Sequence, residues 1–145
     1  HEATFPARRE AYGPGLAGLI DAGRALPAIE FQRILQRRRD FTGRVHAALA
    51  NVDAMLIPAQ PFASPTVERM RTLGQVPAEL AALIRYTAPF DLSGHPTLTV
   101  PAAFTAKGLP VAVQFVGRHL GEPEICRVGR AFQRGTDFHR RRPRV

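Results

Sequence analysis

Apolar side chains recur in steps of three and four from Ala28 to about Val52, at Phe31, Ile34, Leu35, Phe41, Val45, Ala48, Leu49 and Val52. That spacing predicts one face of a long amphipathic helix, and Pro27 suits its opening. Arg33, Arg37, Arg39 and Arg44 lie mostly off the apolar face. Arg38 falls within it and has to snorkel or find a carboxylate. Upstream, residues 2–11 read as a short helix or the end of one, broken by Gly13-Pro14-Gly15. Leu16–Leu26 then reads as a brief helix closing near Gly23.

Beyond residue 52 the period changes. Ala54–Ile57 is a short apolar strand ended by Pro58, and prolines 58, 61 and 65 make the next segment an extended loop. Val67–Leu73 reads as a helical turn, Pro77–Tyr86 as a helix with Leu80, Leu83 and Ile84 on one side, and TAPFDLSGHP (87–96) as a loop. Thr97–Val100 and Val111–Phe115 alternate with period two, and Lys107-Gly108 lies between them, where Gly supplies a left-handed turn residue. This predicts a β-hairpin. Pro123–Arg134 reads as a final helix, with Glu124 in its first turn and Arg130 and Arg134 near its end, as the helix dipole favours. Its buried stripe is Ile125, Val128, Gly129 and Phe132. The tail FHRRRPRV is expected to be exposed. Residues 1–145 are thus read as one segment of α/β class: helical 1–52, strand and proline-rich loop 53–65, helix and loop 77–96, hairpin 97–117 and last helix 123–134.

Composition changes this picture only in part. Hydrophobic residues make up 45% of the 145, enough for a core and against disorder. No apolar run reaches the ~20 residues of a membrane helix. The start, HEATFPARRE, has no signal-peptide pattern and no initiating Met, so a processed chain or a piece of something longer is expected. The lone Cys126 excludes an internal disulfide framework and suggests a reducing, cytoplasmic setting. The net charge is +8, yet Lys107 is the only lysine among 20 basic residues. So arginine-rich a composition fits a GC-rich genome as easily as a phosphate-binding surface, and nucleic acid is the least favoured partner.

Candidate chemistry is sparse. Ser93 and His95 stand two apart in a Gly/Pro loop, with Asp91 nearby, but triad members normally come from separated segments. Pro96 biases His95 toward extended backbone. A structural role for both is the expectation. His1, His46, His119 and His139 show no ligand spacing with each other or with Cys126, so no metal is expected. Cys126, beside the buried stripe, reads as a buried and inert thiol. Neither phosphate-binding glycine motif occurs, and no cofactor is expected. The arginine clusters 37–39 and 140–142 lack interleaved aromatics and read as solvated surface.

The stretch YTAPFDLSGHPTLTVPAAFTAKGLPVAVQFVGR resembles the C-terminal signature of the amidase signature family. The matching positions are Phe90-Asp91-Leu92-Ser93-Gly94-His95-Pro96, Leu98-Thr99-Val100-Pro101, Gly108-Leu109-Pro110-Val111 and Gln114-Phe115-Val116-Gly117-Arg118. The upstream NVDAMLIPAQP and the last helix, RVGRAFQRGTDFHRRRP, are also similar, so the likeness covers essentially the whole chain. It implies a mixed-sheet amidase fold with helices on both faces. It implies hydrolysis of amide bonds through an acyl-enzyme, with a Ser nucleophile, a bridging Ser and a Lys base. Those residues belong to a Gly/Ser-rich segment upstream of this signature. Here Ser64 and Ser93 are the only serines and neither has that context, so no catalytic residue is assigned.

By the same resemblance, the loop around residues 86–95 lies near a substrate pocket, with Tyr86, Phe90 and Asp91 as substrate-binding wall residues. Ile84-Arg85-Tyr86-Thr87 replaces an Asp-containing pattern of ammonia-transferring members, which favours a plain small-molecule amidase. The expectation is the C-terminal part of an amidase, inactive alone, whose partners are an amide substrate and the rest of the fold. The alternatives are a non-catalytic subunit pairing with a separate catalytic chain, an A-type amidotransferase subunit, or, last, a basic nucleic-acid binder. Homodimerisation stays open, and no membrane partner is expected.

Overall fold

The computed structural model describes residues 1–73 and 76–142. They fall into two compact units, His1–Arg38 and the chain from Arg39 onward. In the first, turns over residues 2–7 and a 3-10 turn, Arg9–Tyr12, lead into α1, Gly13–Arg24. The Gly13-Pro14-Gly15 stretch therefore opens a helix and does not merely break one. Gly13 takes the positive φ of 69° and Pro14 sits in the first turn, where its missing N–H costs nothing. Phe5 is buried, its ring edge-on to Tyr12 at 5.2 Å, and Arg9 pairs with Asp21 at 2.6 Å.

The long predicted helix is α2, Ala28–Leu49. Val45 and Leu49 of its stripe are buried, whereas Phe31 and Ile34 are 49% and 41% exposed. Arg38 is exposed, so its place in the stripe costs no buried charge.

The second unit is built on a three-stranded antiparallel sheet of order β1-β3-β2, where β1 is Met55–Pro58, β2 is Thr97–Phe104 and β3 is Pro110–Val116. The hairpin registers Thr97 with Val116 and Phe104 with Pro110. Gly108 closes its turn at φ 78°, as only glycine does without strain. β2 runs four residues beyond the alternating TLTV because a bulge between Pro101 and Ala103 absorbs the proline that cannot donate to the ladder. β1 pairs with β3 from Met55↔Val116 to Pro58↔Val113, so the middle strand comes last in sequence.

Between β1 and β2 lie α3, Val67–Leu73, α4, Pro77–Leu83, and α5, Ala88–Ser93. The segment expected to be a loop at 87–96 thus contains a short helix. Pro89 fits its first turn, and Gly94, at φ 74°, ends it with a left-handed cap whose N–H bonds back to Phe90 O at 2.8 Å. Helix α6 is Glu122–Arg134.

Period-two alternation in β3 feeds both faces of the sheet. Val116, wholly buried, joins Val45 and Leu49 of α2 and Phe90 of α5 in one core. Phe115 points the other way, 5.8 Å from Phe132 of α6. Each such side chain contributes about 1.5–3 kcal/mol. Cys126 is exposed, which corrects the buried expectation: one residue past Ile125 is about 100° around the helix, enough to turn the thiol outward. The tail also differs from expectation. Phe138 is half-buried and stacks near Phe132 at 6.5 Å, and the Arg141 guanidinium lies 5.0 Å from the Phe104 ring. The last part of the predicted tail, residues 143–145, lies outside the described residues.

Candidate functional site

The motif Ser93-Gly94-His95 and the end of β3 meet beside the C-terminal half of α2. Gln114, 1% exposed, donates from Nε2 to Tyr86 O at 2.5 Å and ties the α4–α5 turn to the middle strand. Arg118 reaches the end of α2, its Nε donating to Leu49 O at 3.2 Å and a terminal nitrogen to Val52 O at 2.9 Å. Leu49 O, at the last residue of α2, has besides this only a long bond from Val52 N–H at 3.5 Å, and a cation at that end also suits the dipole. The motif residues Gln114 and Arg118 therefore act as ties between elements.

After β3 the chain turns sharply at Arg118–Gly121, closed by Gly121 N–H to Arg118 O at 2.9 Å. Leu120 occupies the left-handed region at φ 58° and is 89% exposed. That conformation costs about 1–2 kcal/mol for a residue with a Cβ, and it directs His119 back toward Ser93.

Three imidazoles converge here, from α2 (His46), from the residue after the α5 cap (His95) and from the turn after β3 (His119). Their ring centroids lie 4.2–4.9 Å apart, and one nitrogen from each falls within 4.8 Å of the others. His119 Nε2 donates to Ser93 O at 2.8 Å, so its Nδ1 carries the lone pair that faces His46 Nε2 at 3.2 Å. His95 Nδ1 lies 2.8 Å from Ser93 Oγ, which is 3.5 Å from Phe90 O. Both contacts are made when His95 donates to the serine and the serine donates onward. His95 is 5% exposed, and its Nε2 is buried with no partner. Burial lowers its pKa to about 4, with repulsion from His119 and His46 adding to the effect. It is neutral at pH 7.

The histidine cluster was not visible in the spacing of the sequence. Three separated segments bring these histidines together. The Ser93–His95 contact does form, but Ser93 is 4% exposed and shielded from any amide, and the outer nitrogen of His95 meets no acid. Of the wall residues inferred from the resemblance, Phe90 is in the core, Tyr86 is half-buried in the α4–α5 turn and Asp91 is exposed on α5. An open apolar groove of about 460 Å³ runs along the same helix, lined by Phe41, Ile84, Arg85, Ala88, Pro89 and Leu92 together with Ala81. Tyr86, Phe90 and Asp91 are not among its walls.

The Amidase family profile matches residues 3–126. The chain belongs to the amidase family. The Mycobacterium tuberculosis protein named as a putative amidase, AmiD, is 47% identical over all 145 residues, and the chain spans 30% of its length. The A subunit of glutamyl-tRNA(Gln) amidotransferase from Myxococcus xanthus is 38% identical over 104 residues, covering 72% of this chain and 20% of that protein. A crystal structure of an amidase superposes with a TM-score of 0.77 at 26% identity, over 93% of this chain and 31% of that one. The fold recurs in 6-aminohexanoate cyclic dimer hydrolase, at a TM-score of 0.74 and 19% identity, over 90% of this chain and 29% of that one. The family likeness read from the hairpin motif is thus shown, as is the α/β amidase fold. No described helix of this amidase-family chain is long and apolar enough to cross a membrane.

Proposed function

We propose that these residues form the C-terminal supporting part of an amidase that hydrolyses carbon–nitrogen bonds of a small amide through an acyl-enzyme, and that they are inactive alone. The observation that carries this reading is the state of the two serines and the one lysine. Ser93 is buried and engaged with His95, Ser64 is exposed in an Ala-Ser-Pro loop, and Lys107 sits in the hairpin turn. An activated serine needs a base in hydrogen-bond reach and a route for substrate, and Ser93 lacks the route. In the intact enzyme, an upstream serine would attack the carbonyl, its proton passing to a neutral lysine, and backbone N–H groups would stabilise the oxyanion. The α4–α5 segment would help shape the substrate wall, with Tyr86 and Asp91 the side chains open to it and Phe90 supporting it from the core.

Exposed apolar side chains support a larger fold around this part. Leu56 on the outer strand β1 is 60% exposed and Val67 74%. Sheet edges and apolar surface of this kind call for cover. The test is turnover of a panel of amides by the purified chain. None is expected, and hydrolysis abolished by Ser93→Ala would overturn the reading.

The likeness to the amidotransferase relatives favours one second reading, part of an A-type amidotransferase subunit that works beside a separate polypeptide. A tight, monodisperse complex with such a polypeptide, restoring turnover, supports that reading over a lone remnant.

A further inference from the structure

We propose that His46, His95 and His119 form a three-histidine site for a divalent transition-metal ion of the zinc class, with the fourth coordination position facing solvent. The proposal stands apart from the amidase reading and does not depend on it.

Geometry supports it first. In the metal-free chain His46 Nε2 donates to His119 Nδ1 at 3.2 Å; binding would displace that proton, and the separation is already close to the roughly 3.4 Å between two nitrogens on a tetrahedral ion with metal–nitrogen bonds of about 2.0–2.1 Å. One nitrogen from each of the three rings lies within 4.8 Å of the other two, a gap that small side-chain rotations close. His46 and His119 are exposed, which gives the ion a route in, while His95 forms the buried floor.

The hydrogen bonds around the rings support it next. A metal-binding imidazole normally donates its other N–H to an oxygen, which fixes the tautomer and aims the lone pair. Two of the three rings do so here, and through one residue: His119 Nε2 to the Ser93 carbonyl and His95 Nδ1 to the Ser93 hydroxyl. Gly94, at φ 74°, makes this double grip feasible by turning the chain between Ser93 and His95 in a conformation that strains other residues. With the tautomers set this way, His119 Nδ1 and His95 Nε2 are the nitrogens left with lone pairs. The buried Nε2 has no hydrogen-bond partner, and a metal ion would satisfy it.

The donor set then selects the ion. Three neutral imidazoles without a carboxylate suit zinc, cobalt, nickel or copper and disfavour magnesium and calcium. Three protein ligands leave one position for water or an exogenous ligand. Bound metal would pin α2, the α5 cap and the turn after β3 together.

The experiment is calorimetric titration of ZnCl2 into the metal-stripped, tag-free chain, with CoCl2 as the spectroscopic probe. One zinc per chain is expected, and cobalt should give the intense visible bands of tetrahedral coordination. His46→Ala and His119→Ala, both at exposed positions, should each weaken zinc at least tenfold and abolish the cobalt bands. Ser93→Ala, which removes an outer-shell partner, should weaken zinc by about 10–100-fold. His1→Ala and His139→Ala should leave stoichiometry and affinity unchanged. Absence of stoichiometric binding overturns the proposal. So does binding that survives both His46→Ala and His119→Ala, or binding lost with His1→Ala, which would place the ion on the amino terminus. None of these readouts needs an amide substrate, so failure of the amidase reading would leave them intact.

Discussion

Gly129 is the sharpest test of how this fold is held together. It lies inside α6, where replacing Gly by Ala ordinarily stabilises by about 0.5–1 kcal/mol. Here a Cβ would fall 2.2 Å from Leu98 Cδ2, far inside contact distance, because α6 packs directly on β2. Relieving the overlap must displace Leu98 or lift the helix, and overpacking of this kind costs about 1–3 kcal/mol. The two ranges leave a net cost of about 0–2.5 kcal/mol, so Gly129→Ala should forfeit the usual gain and destabilise. Gly43 supplies the control. It too lies inside a helix, and a Cβ there would meet nothing within 4 Å, so Gly43→Ala should stabilise by about 0.5–1 kcal/mol. The chain has no Trp, so urea unfolding is best followed by far-UV circular dichroism. Leu98→Ala should erase the cost of Gly129→Ala, giving a clear coupling energy in the double-mutant cycle. If Gly129→Ala stabilises as much as Gly43→Ala, the close approach of α6 to the sheet is wrong.

Three further outcomes follow from the ties described above. Arg118→Ala should cost about 1–2 kcal/mol in a urea melt, because the last carbonyl of α2 and the Val52 carbonyl just beyond it lose a charged donor. Arg118→Lys should recover only part, since one ammonium cannot reproduce the two-pronged contact, and full recovery would refute the two-carbonyl tie. Gln114→Leu keeps most of the volume but deletes the bond to Tyr86 O, so the thermal midpoint should drop by roughly 2–6 °C for about 1–1.5 kcal/mol; an unchanged midpoint would show that the bond contributes nothing. For the metal-free chain, His95 has its ordinary pKa of 6.5 when unfolded and about 4 when folded. The unfolded imidazole then takes up a proton that the folded one refuses, so stability is lost as pH falls from 6.5 toward 4. Urea midpoints across that window should fall less in His95→Gln than in the wild type, and an equal fall in both would refute the assignment.

Local physics made much of this structure legible from the sequence. The α2 stripe has a period that only a helix satisfies, and the hairpin combines alternation with Gly108 in a turn that requires positive φ. Helix α5 was hidden because its six residues are too few to show a period, although Pro89 and Gly94 mark its two ends. Cys126 was misjudged by one step around a helix, where about 100° separates core from solvent. The histidine cluster was invisible for a topological reason. His46 and His119 are 73 residues apart, and the turn that aims His119 is closed at Leu120, a residue whose type gives no hint of positive φ. Pairing of β1 with β3 likewise follows from the long crossover between β1 and the hairpin, which neither strand's own residues announce.

The most direct measurement is peptide mapping of the chain after incubation with an activated ester and, separately, a fluorophosphonate. Ser64 and Ser93 are both predicted to be unmodified, whereas the exposed Cys126 thiol and Lys107 amine can take up acyl groups from the ester without bearing on the account. A stoichiometric adduct on either serine would mean that the bond-breaking chemistry resides in these residues after all, and would contradict the account.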